Sequence, residues 1–325
     1  MIILPRKISD TQRVLEAIER RLPPTHEDFS YYSEQLRRVK AGFAGEQRVD
    51  REWIEIDLPQ PHYFLHDLQV TNRFGNTHQI DTILLCPYIF LVLEIKNITG
   101  FIEIDEQFHQ FNRTTAEGRV EGMSNPFHQI ERHVELLSRR MKEEGIVVPI
   151  KYAVVSATKN AILSPSLHGR SIFHVTGLRL EVKKLLSQYR NPSVDPSNLE
   201  QFMKTLLAMH VPKKREIKLP VKDLITGVLC PDCKYKQQMY YSNNKWFCLC
   251  CGNRNLASMY SAMIDYRLLV SETITNKDFC AFFGVGSTNV AYKLLKHMKL
   301  VESGAKKNRT YRIPEFVGEI YESDG

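Results

Sequence analysis

The hydrophobic pattern is densest between Gln79 and Asn97, QIDTILLCPYIFLVLEIKN, where two apolar, β-branched-rich runs, Ile80–Leu85 and Ile89–Ile95, flank a turn signal at Cys86-Pro87-Tyr88. Continuous apolar runs of this length, bounded by a turn, predict a β-hairpin buried on both faces. Upstream, Val14, Leu15, Ile18 and Leu22 recur at helical spacing behind a capping Ser9 or Asp10, and Pro23-Pro24 ends that helix. A second helix is expected over Phe29–Val39, a third over Gly45–Ile54, and a strand over Tyr63–Val70 before a polar turn at Asn72–Asn76. After the hairpin, Phe101–Ile104 is expected as the third strand of a meander, followed by a strongly polar stretch through Arg113–Gly122. Asn125-Pro126 opens a helix whose buried stripe is Ile130, Val134, Leu137 and Met141 and whose stop is Gly145. Strands at Ile150–Val155 and Ser171–Val175 and helices at Arg179–Gln188 and Pro196–Met209 complete an order that predicts an α/β unit, a mixed sheet flanked by helices.

Three charges interrupt the hairpin. If the turn pairs Leu85 with Phe90, the same antiparallel register sets Asp81 opposite Glu94, and side-chain alternation puts Lys96 on that face. Two carboxylates facing each other in apolar strands repel and lose hydration unless a cation lies between them. A divalent metal such as Mg²⁺, held by Asp81 and Glu94, is the economical explanation, with Lys96 left to orient a water or meet charge on a phosphoryl oxygen. The plain alternative is a Glu94–Lys96 ion pair reaching solvent at a strand end. His78, where the strand begins, has a matching pair of readings: a contact to metal or phosphate, or a polar surface residue.

The stretch from about Ala41 to Val155 resembles the nuclease-related domain (NERD), a branch of the PD-(D/E)xK phosphodiesterase superfamily. The matching pieces are Gly42-Phe43-Ala44-Gly45-Glu46 opening a helix, Gln79-Ile80-Asp81 on the first hairpin strand, Glu94-Ile95-Lys96-Asn97 on the second with Gly100 just after, and Asn125-Pro126-Phe127-His128-Gln129 leading into another helix. The resemblance implies a restriction-endonuclease-like fold with Asp81 and Glu94 as metal ligands, Lys96 as catalytic lysine, Glu46 as an additional acidic group and Gln129 facing the site. Read without it, Glu46 is equally a solvated acid in a first helical turn. Arg132, Arg139 and Arg140 are either a solvated helical face or phosphate contacts.

With 325 residues and 43% hydrophobic content the chain can bury a sizeable core and divide into two or three domains. A net charge of +7 is compatible with a polyanionic partner without requiring one. No run has the length of a membrane span and the opening MIILPRKISD lacks a signal peptide's apolar core, so the expected compartment is the cytoplasm and the expected cysteine chemistry is thiol or metal ligation. The expected domains are a helical segment at 1–40, the nuclease-like domain at 41–210, a proline-bounded basic linker at 211–226, a zinc ribbon at 227–256 and a winged-helix-like unit at 257–325.

The ribbon rests on two CxxC knuckles, Cys230/Cys233 and Cys248/Cys251, with 14 residues between them, a spacing suited to a closed structural Zn²⁺ site. Cys250 competes with Cys248 or Cys251 as a ligand. Tyr240, Tyr241, Trp246, Phe247 and Lys234, Lys236 and Lys245 either touch nucleic acid or serve the ribbon's own structure. Cys86 and Cys280, in apolar runs, are expected in cores. In the last segment, helices over Ser261–Leu269, Asn276–Phe283 and Ser287–Met298 precede two wing strands, Lys299–Ser303 and Arg309–Ile313. The third helix would offer Ser287, Thr288, Asn289, Tyr292 and Lys293 to a major groove while Lys306, Lys307 and Arg309 sit over phosphates. Two functions follow from these parts. One is a nuclease dependent on Mg²⁺ or Mn²⁺ acting on nucleic acid, with DNA preferred, without a membrane, and with self-association or a protein partner compatible. The other is a non-catalytic DNA-binding regulator or assembly factor that keeps the nuclease-like scaffold.

Overall fold

The computed structural model describes residues 1–255, 257–305 and 308–315. In chain order its elements begin with β1 (Ile2–Leu4), α1 (Asp10–Arg21), α2 (Phe29–Glu52), β2 (Tyr63–Thr71), β3 (Thr77–Leu85), β4 (Phe90–Lys96), β5 (Gly100–Asp105), β6 (Gln110–Thr114), β7 (Val120–Met123) and α3 (Pro126–Glu143). They continue with β8 (Ile150–Ser156), β9 (Ala161–Leu163), β10 (Ile172–His174), α4 (Leu178–Gln188) and α5 (Pro196–Ala208). The chain then forms β11 (Val228–Leu229), β12 (Gln238–Ser242), β13 (Lys245–Phe247), α6 (Ala257–Leu269), β14 (Thr273–Ile274), α7 (Asn276–Phe283), α8 (Thr288–His297), β15 (Val301–Ser303) and β16 (Thr310–Arg312). Two compact units result: Met1–Ile8 with Lys40–Lys213, and Ser9–Val39 with Lys214–Gly325. No helix among the described residues is long and apolar enough to cross a membrane.

The first unit is built on a six-stranded mixed sheet in the order β1-β2-β3-β4-β8-β10. The hairpin β3–β4 lies at its centre, because β4 pairs antiparallel with β3 and parallel with β8. Its alternating residues feed two cores. Ile83, Leu85, Phe90 and Val92 pack with Ile130, Leu137 and Met141 of α3 and Phe202 of α5. Leu84, Leu91, Leu93 and Ile95 pack on the other face with Val49 of α2 and Leu178 and Val182 of α4. That double burial explains why both strands read as unbroken apolar runs.

Two expectations are corrected here. Phe29–Val39 and Gly45–Ile54 are not separate helices: α2 runs unbroken from Phe29 to Glu52 through both Gly42 and Gly45. Gly45 marks a close approach, since a Cβ there would stand 2.6 Å from Cβ of Asn97 just past β4. β5 does not continue the main meander but joins a second sheet, β7-β6-β5-β9, and the polar stretch after it supplies β6 and β7. This small sheet buries Ile102, Ile104 and Phe111 against Phe127 and Leu167.

In the second unit, Leu15 and Ile18 of α1 share one core with Val228, Met239 and Trp246 of the β11-β12-β13 sheet, Met263 of α6, Phe279 and Phe283 of α7, Leu295 of α8 and Tyr311 of β16. The stretches expected as a separate ribbon and a separate last domain therefore share a hydrophobic interior with the first helix. A buried ion pair fixes the joint. Arg21 and Asp265, each about 1% exposed, meet at 2.9 Å, and Arg21 also donates to the carbonyls of Ile225 and Gly227. The strands β14, β16 and β15 form a small sheet in that order around the helices α6, α7 and α8. The capping box of Thr275 and Asp278 starts α7, and Gly284, in the left-handed region, ends it.

Candidate functional site

The inferred hairpin register is the observed one: Leu85 pairs with Phe90 and the ladder runs to Thr82–Leu93. One step further the backbone ladder gives way to a side chain, because the Asp81 carboxylate accepts the Ile95 N–H at 2.7 Å. Glu94 is about 1% exposed, and its Oε1 accepts from the Lys96 ammonium at 2.6 Å. The same ammonium reaches Gln129 Oε1 at 3.2 Å. Gln129 is in place because the Asn125 side chain caps α3 through the Phe127 N–H, with Pro126 suited to the first turn. Thus Glu94, Lys96 and Gln129 are joined directly, and Asp81 is anchored beside them.

Glu46 reaches this cluster through a partner that the pattern of residues did not announce. Arg6, just after β1, bonds Glu46 and Asp50 at 2.7 Å each and donates to the Asp81 carbonyl and the Thr82 hydroxyl. Its guanidinium side chain is 5% exposed, so it is a buried cation surrounded by acids. Asp67 stands opposite Asp81 in the β2–β3 register, with φ of 53° in a region that side chains rarely occupy. His66 beside it comes within 3.2 Å of Thr82 and 3.5 Å of Asp50.

Crowding of acids in a dry place sets their protonation. Burial first, and then the charge of Asp81, push Glu94 up to about 8, with Lys96 pulling the other way. Burial and Asp81 likewise raise Glu46 to about 7 against the opposing Arg6. Asp81 is raised by burial, with Lys96 opposing. A divalent cation is the group that would relieve all three, and one donor is ready for it: Glu94 Oε2 is buried and has no hydrogen-bond partner among the described residues. Oxygen donors of this kind suit Mg²⁺ and Mn²⁺.

Beside the carboxylates lies a cleft of about 850 Å³ between the β2–β3 turn and α3. Arg73, His78, Arg132, Arg139 and Arg140 line it, together with Gln129 and His133, so the three α3 arginines border a cavity rather than only a solvated face. Arg139 and Arg140 are paired with Glu135 and with Glu143 and Glu144, whereas Arg132 makes no ion pair among the described residues. His78 stacks edge-on to His133, ring centres 5.5 Å apart. His133 is buried with its Nδ1 4.0 Å from Glu94 Oε2.

In the second unit Cys230, Cys233, Cys248 and Cys251 gather with all four sulfurs within 4.8 Å of one another, a set that can hold a zinc ion. Cys250 is exposed and is not one of these four, although its thiol bears on Cys233. The first knuckle closes through the Tyr235 N–H to the Cys230 carbonyl, with Lys234 and Tyr235 at positive φ, and the second through the Gly252 N–H to the Cys248 carbonyl. Trp246, offered as a nucleic-acid contact, is instead a core residue at 1% exposure, while Tyr240 and the three lysines are exposed. On α8 and its N-cap, Ser287, Thr288, Asn289, Tyr292 and Lys293 are exposed while Ala291, Leu294 and Leu295 are buried. Arg309 packs over the Tyr292 ring and pairs with Glu302. Lys306 and Lys307 lie outside the described residues. Cys86 is fully buried and Cys280 packs at the edge of its core, as their apolar surroundings predicted.

Residues 41–157 match the family model of the nuclease-related domain. An uncharacterized protein of Bacillus anthracis is 25% identical over 183 residues, which cover 56% of this chain and 83% of that relative. No solved structure matches the chain. The α/β core, with its mixed sheet and flanking helices, holds the stretch that matches the nuclease-related domain and is consistent with a restriction-endonuclease-like fold.

Proposed function

We propose that this chain, whose residues 41–157 form a nuclease-related domain, is a metal-dependent endonuclease of the PD-(D/E)xK type that hydrolyses phosphodiester bonds in DNA. The observation that carries the reading is the meeting of Asp81, Glu94, Lys96 and Gln129 at one end of the central hairpin, with a buried carboxylate oxygen of Glu94 left unpartnered. Asp81 and Glu94 would hold Mg²⁺ or Mn²⁺. Such an ion, when bound, supplies Lewis acidity toward a phosphoryl oxygen and acidifies a water.

The chain's own residues then have separable tasks. Lys96, held by Glu94 Oε1 and Gln129 Oε1, carries its positive charge where negative charge builds on the phosphoryl group and orients the attacking water. Gln129 is a positioning residue acting through Lys96. Glu46, fixed by Arg6, supplies a further carboxylate at the cluster's edge. The arginine-lined cleft receives backbone phosphates. In the second unit a structural zinc on the four cysteines holds the ribbon. The helices α6–α8 with the small sheet then act as a winged helix, with Ser287, Asn289, Tyr292 and Lys293 toward the groove and Arg309 toward phosphate. The compartment that fits free thiolate ligands is the cytoplasm.

The test is incubation of supercoiled plasmid, linear duplex and single-stranded DNA with purified, zinc-loaded protein, with added Mg²⁺ or Mn²⁺ and without either. Cutting that needs the added metal and disappears in Asp81→Ala supports the nuclease. Retained DNA binding with no cutting under any metal contradicts it and favours the regulator.

A further inference from the structure

Two buried side-chain atoms, one on β4 and one on α3, stand close to each other beside the cleft that His133 lines. Glu94 Oε2 and His133 Nδ1 are 4.0 Å apart, beyond hydrogen-bonding distance, and neither has a hydrogen-bond partner among the described residues. Their residues are 1% and 4% exposed. Buried donors and acceptors are ordinarily paired, so two orphans aimed at one gap call for a third body. Neither can turn away easily: Glu94 Oε1 is held by Lys96, and the His133 ring is backed by His78, one turn along α3 from Gln129.

We infer that His133 supplies a nitrogen ligand to the divalent ion held by Glu94, and that this nitrogen sets the site's preference for Mn²⁺ over Mg²⁺. Bonds of about 2.1 Å from a metal to an imidazole nitrogen and to a carboxylate oxygen span up to about 4.2 Å, which accommodates the observed gap. Mg²⁺ favours oxygen donors and an octahedron rich in water, whereas imidazole suits transition metals. The inference rests on the metal-dependent reading above and refines it, since two carboxylates alone give no such discrimination. His78, edge-on to the ring, is not itself a ligand and serves as the control histidine.

The test uses full-length, zinc-loaded protein and reads binding, not turnover. Mn²⁺ and Mg²⁺ are titrated by calorimetry, and the Mn²⁺ complex is examined by pulsed electron paramagnetic resonance for ¹⁴N coupling, in the wild type and in His133→Asn, His78→Ala and Asp81→Ala. Expected are ¹⁴N coupling in the wild type and His78→Ala, its loss in His133→Asn, and a Mn²⁺ affinity reduced roughly tenfold or more in His133→Asn while Mg²⁺ affinity changes by less than about threefold. His133→Asn keeps a polar atom near the Nδ1 position, and an unchanged thermal melt certifies its fold. Mn²⁺ bound through Asp81 without nitrogen coupling, or equal losses for both metals, overturns the role of His133 and leaves the nuclease reading standing. No binding of either metal in the wild type overturns both.

Discussion

At the level of single residues the site is a group of acids that the fold keeps dry. Glu94 and Glu46 have proton affinities raised to about 8 and about 7, against an ordinary value of 4.5, because burial and the charge of Asp81 disfavour their ionised forms. Without metal, the folded chain keeps protons that the unfolded chain has lost, so these groups make stability fall as pH rises from about 4.5 toward 8. His66 and His133 act oppositely: burial lowers both to about 4 from 6.5, so they make stability rise between pH 4 and 6.5 and tail off above. Above pH 6.5 the histidine contribution fades, and comparison with Glu94→Gln separates the carboxylate from it and from the Met1 amine, which burial lowers from its usual 8.0. Urea denaturation of zinc-loaded protein without other divalent ions should give a lower midpoint at pH 8 than at pH 6.5, and Glu94→Gln should remove most of that fall. A midpoint that is flat or rises would contradict the protonation assigned to Glu94. Asp81, Glu94 and Lys96 were legible because each breaks an apolar run, and the same signal marks His66 and Asp67 within Tyr63–Val70. Arg6 carried no such mark. It lies 75 residues from Asp81 in a short polar stretch, and only the parallel pairing of β1 with β2 brings it to the acids.

At the level of elements, α2 meets the chain just past β4 where the α2 backbone at Gly45 lies against the Asn97 side chain. Gly45 lies where a Cβ would come within 2.6 Å of Asn97 and 3.2 Å of Ala157, while the Asn97 amide donates to the Ala41 carbonyl at 2.6 Å. Gly45→Val should push α2 off the strand end, costing roughly 1–3 kcal/mol by overpacking, and should shift Glu46 from its place; Gly42→Ala, where a Cβ meets nothing within 4 Å, should cost little. Chemical denaturation of the two variants checks the contrast, and similar stability for both would remove the close-approach account. Apolar periodicity located most strands and helices of the first unit, since burial on one or two faces writes itself into the pattern. It did not say which sheet a strand joins. β5 leaves the main sheet because its partners are β6 and β9, pairings set by tertiary context rather than by its own alternation.

At the level of the whole molecule, the chain makes two units from segments that are not contiguous, and the second has its cysteine cluster built into its core. Cys230 and Cys248 belong both to the sulfur cluster and to the hydrophobic core that includes Trp246 and Leu15. Zinc removal should therefore loosen that core, because metal binding is part of the folding free energy of such sites. With Trp53→Phe leaving Trp246 as the fluorophore, chelation should shift its emission to the red and broaden the unit's melt. Unchanged emission would show that the core stands without metal. The CxxC spacing announced the ligands, whereas the sharing of one interior by α1, the ribbon and the last helices was not legible, because helical stripes such as Val14, Leu15 and Ile18 name a buried face without naming what covers it.

The central claim is that the residues at the end of the hairpin perform chemistry and do not merely support a fold, and Lys96 tests it most directly. It is partly exposed and bonded only at its ammonium, so Lys96→Ala removes a charge with little loss of packing. The measurement is the single-turnover rate of DNA cleavage by Lys96→Ala beside its DNA affinity. The account predicts a rate lower by roughly 10²-fold or more with affinity within about twofold of the wild type. Cleavage at an undiminished rate would contradict it.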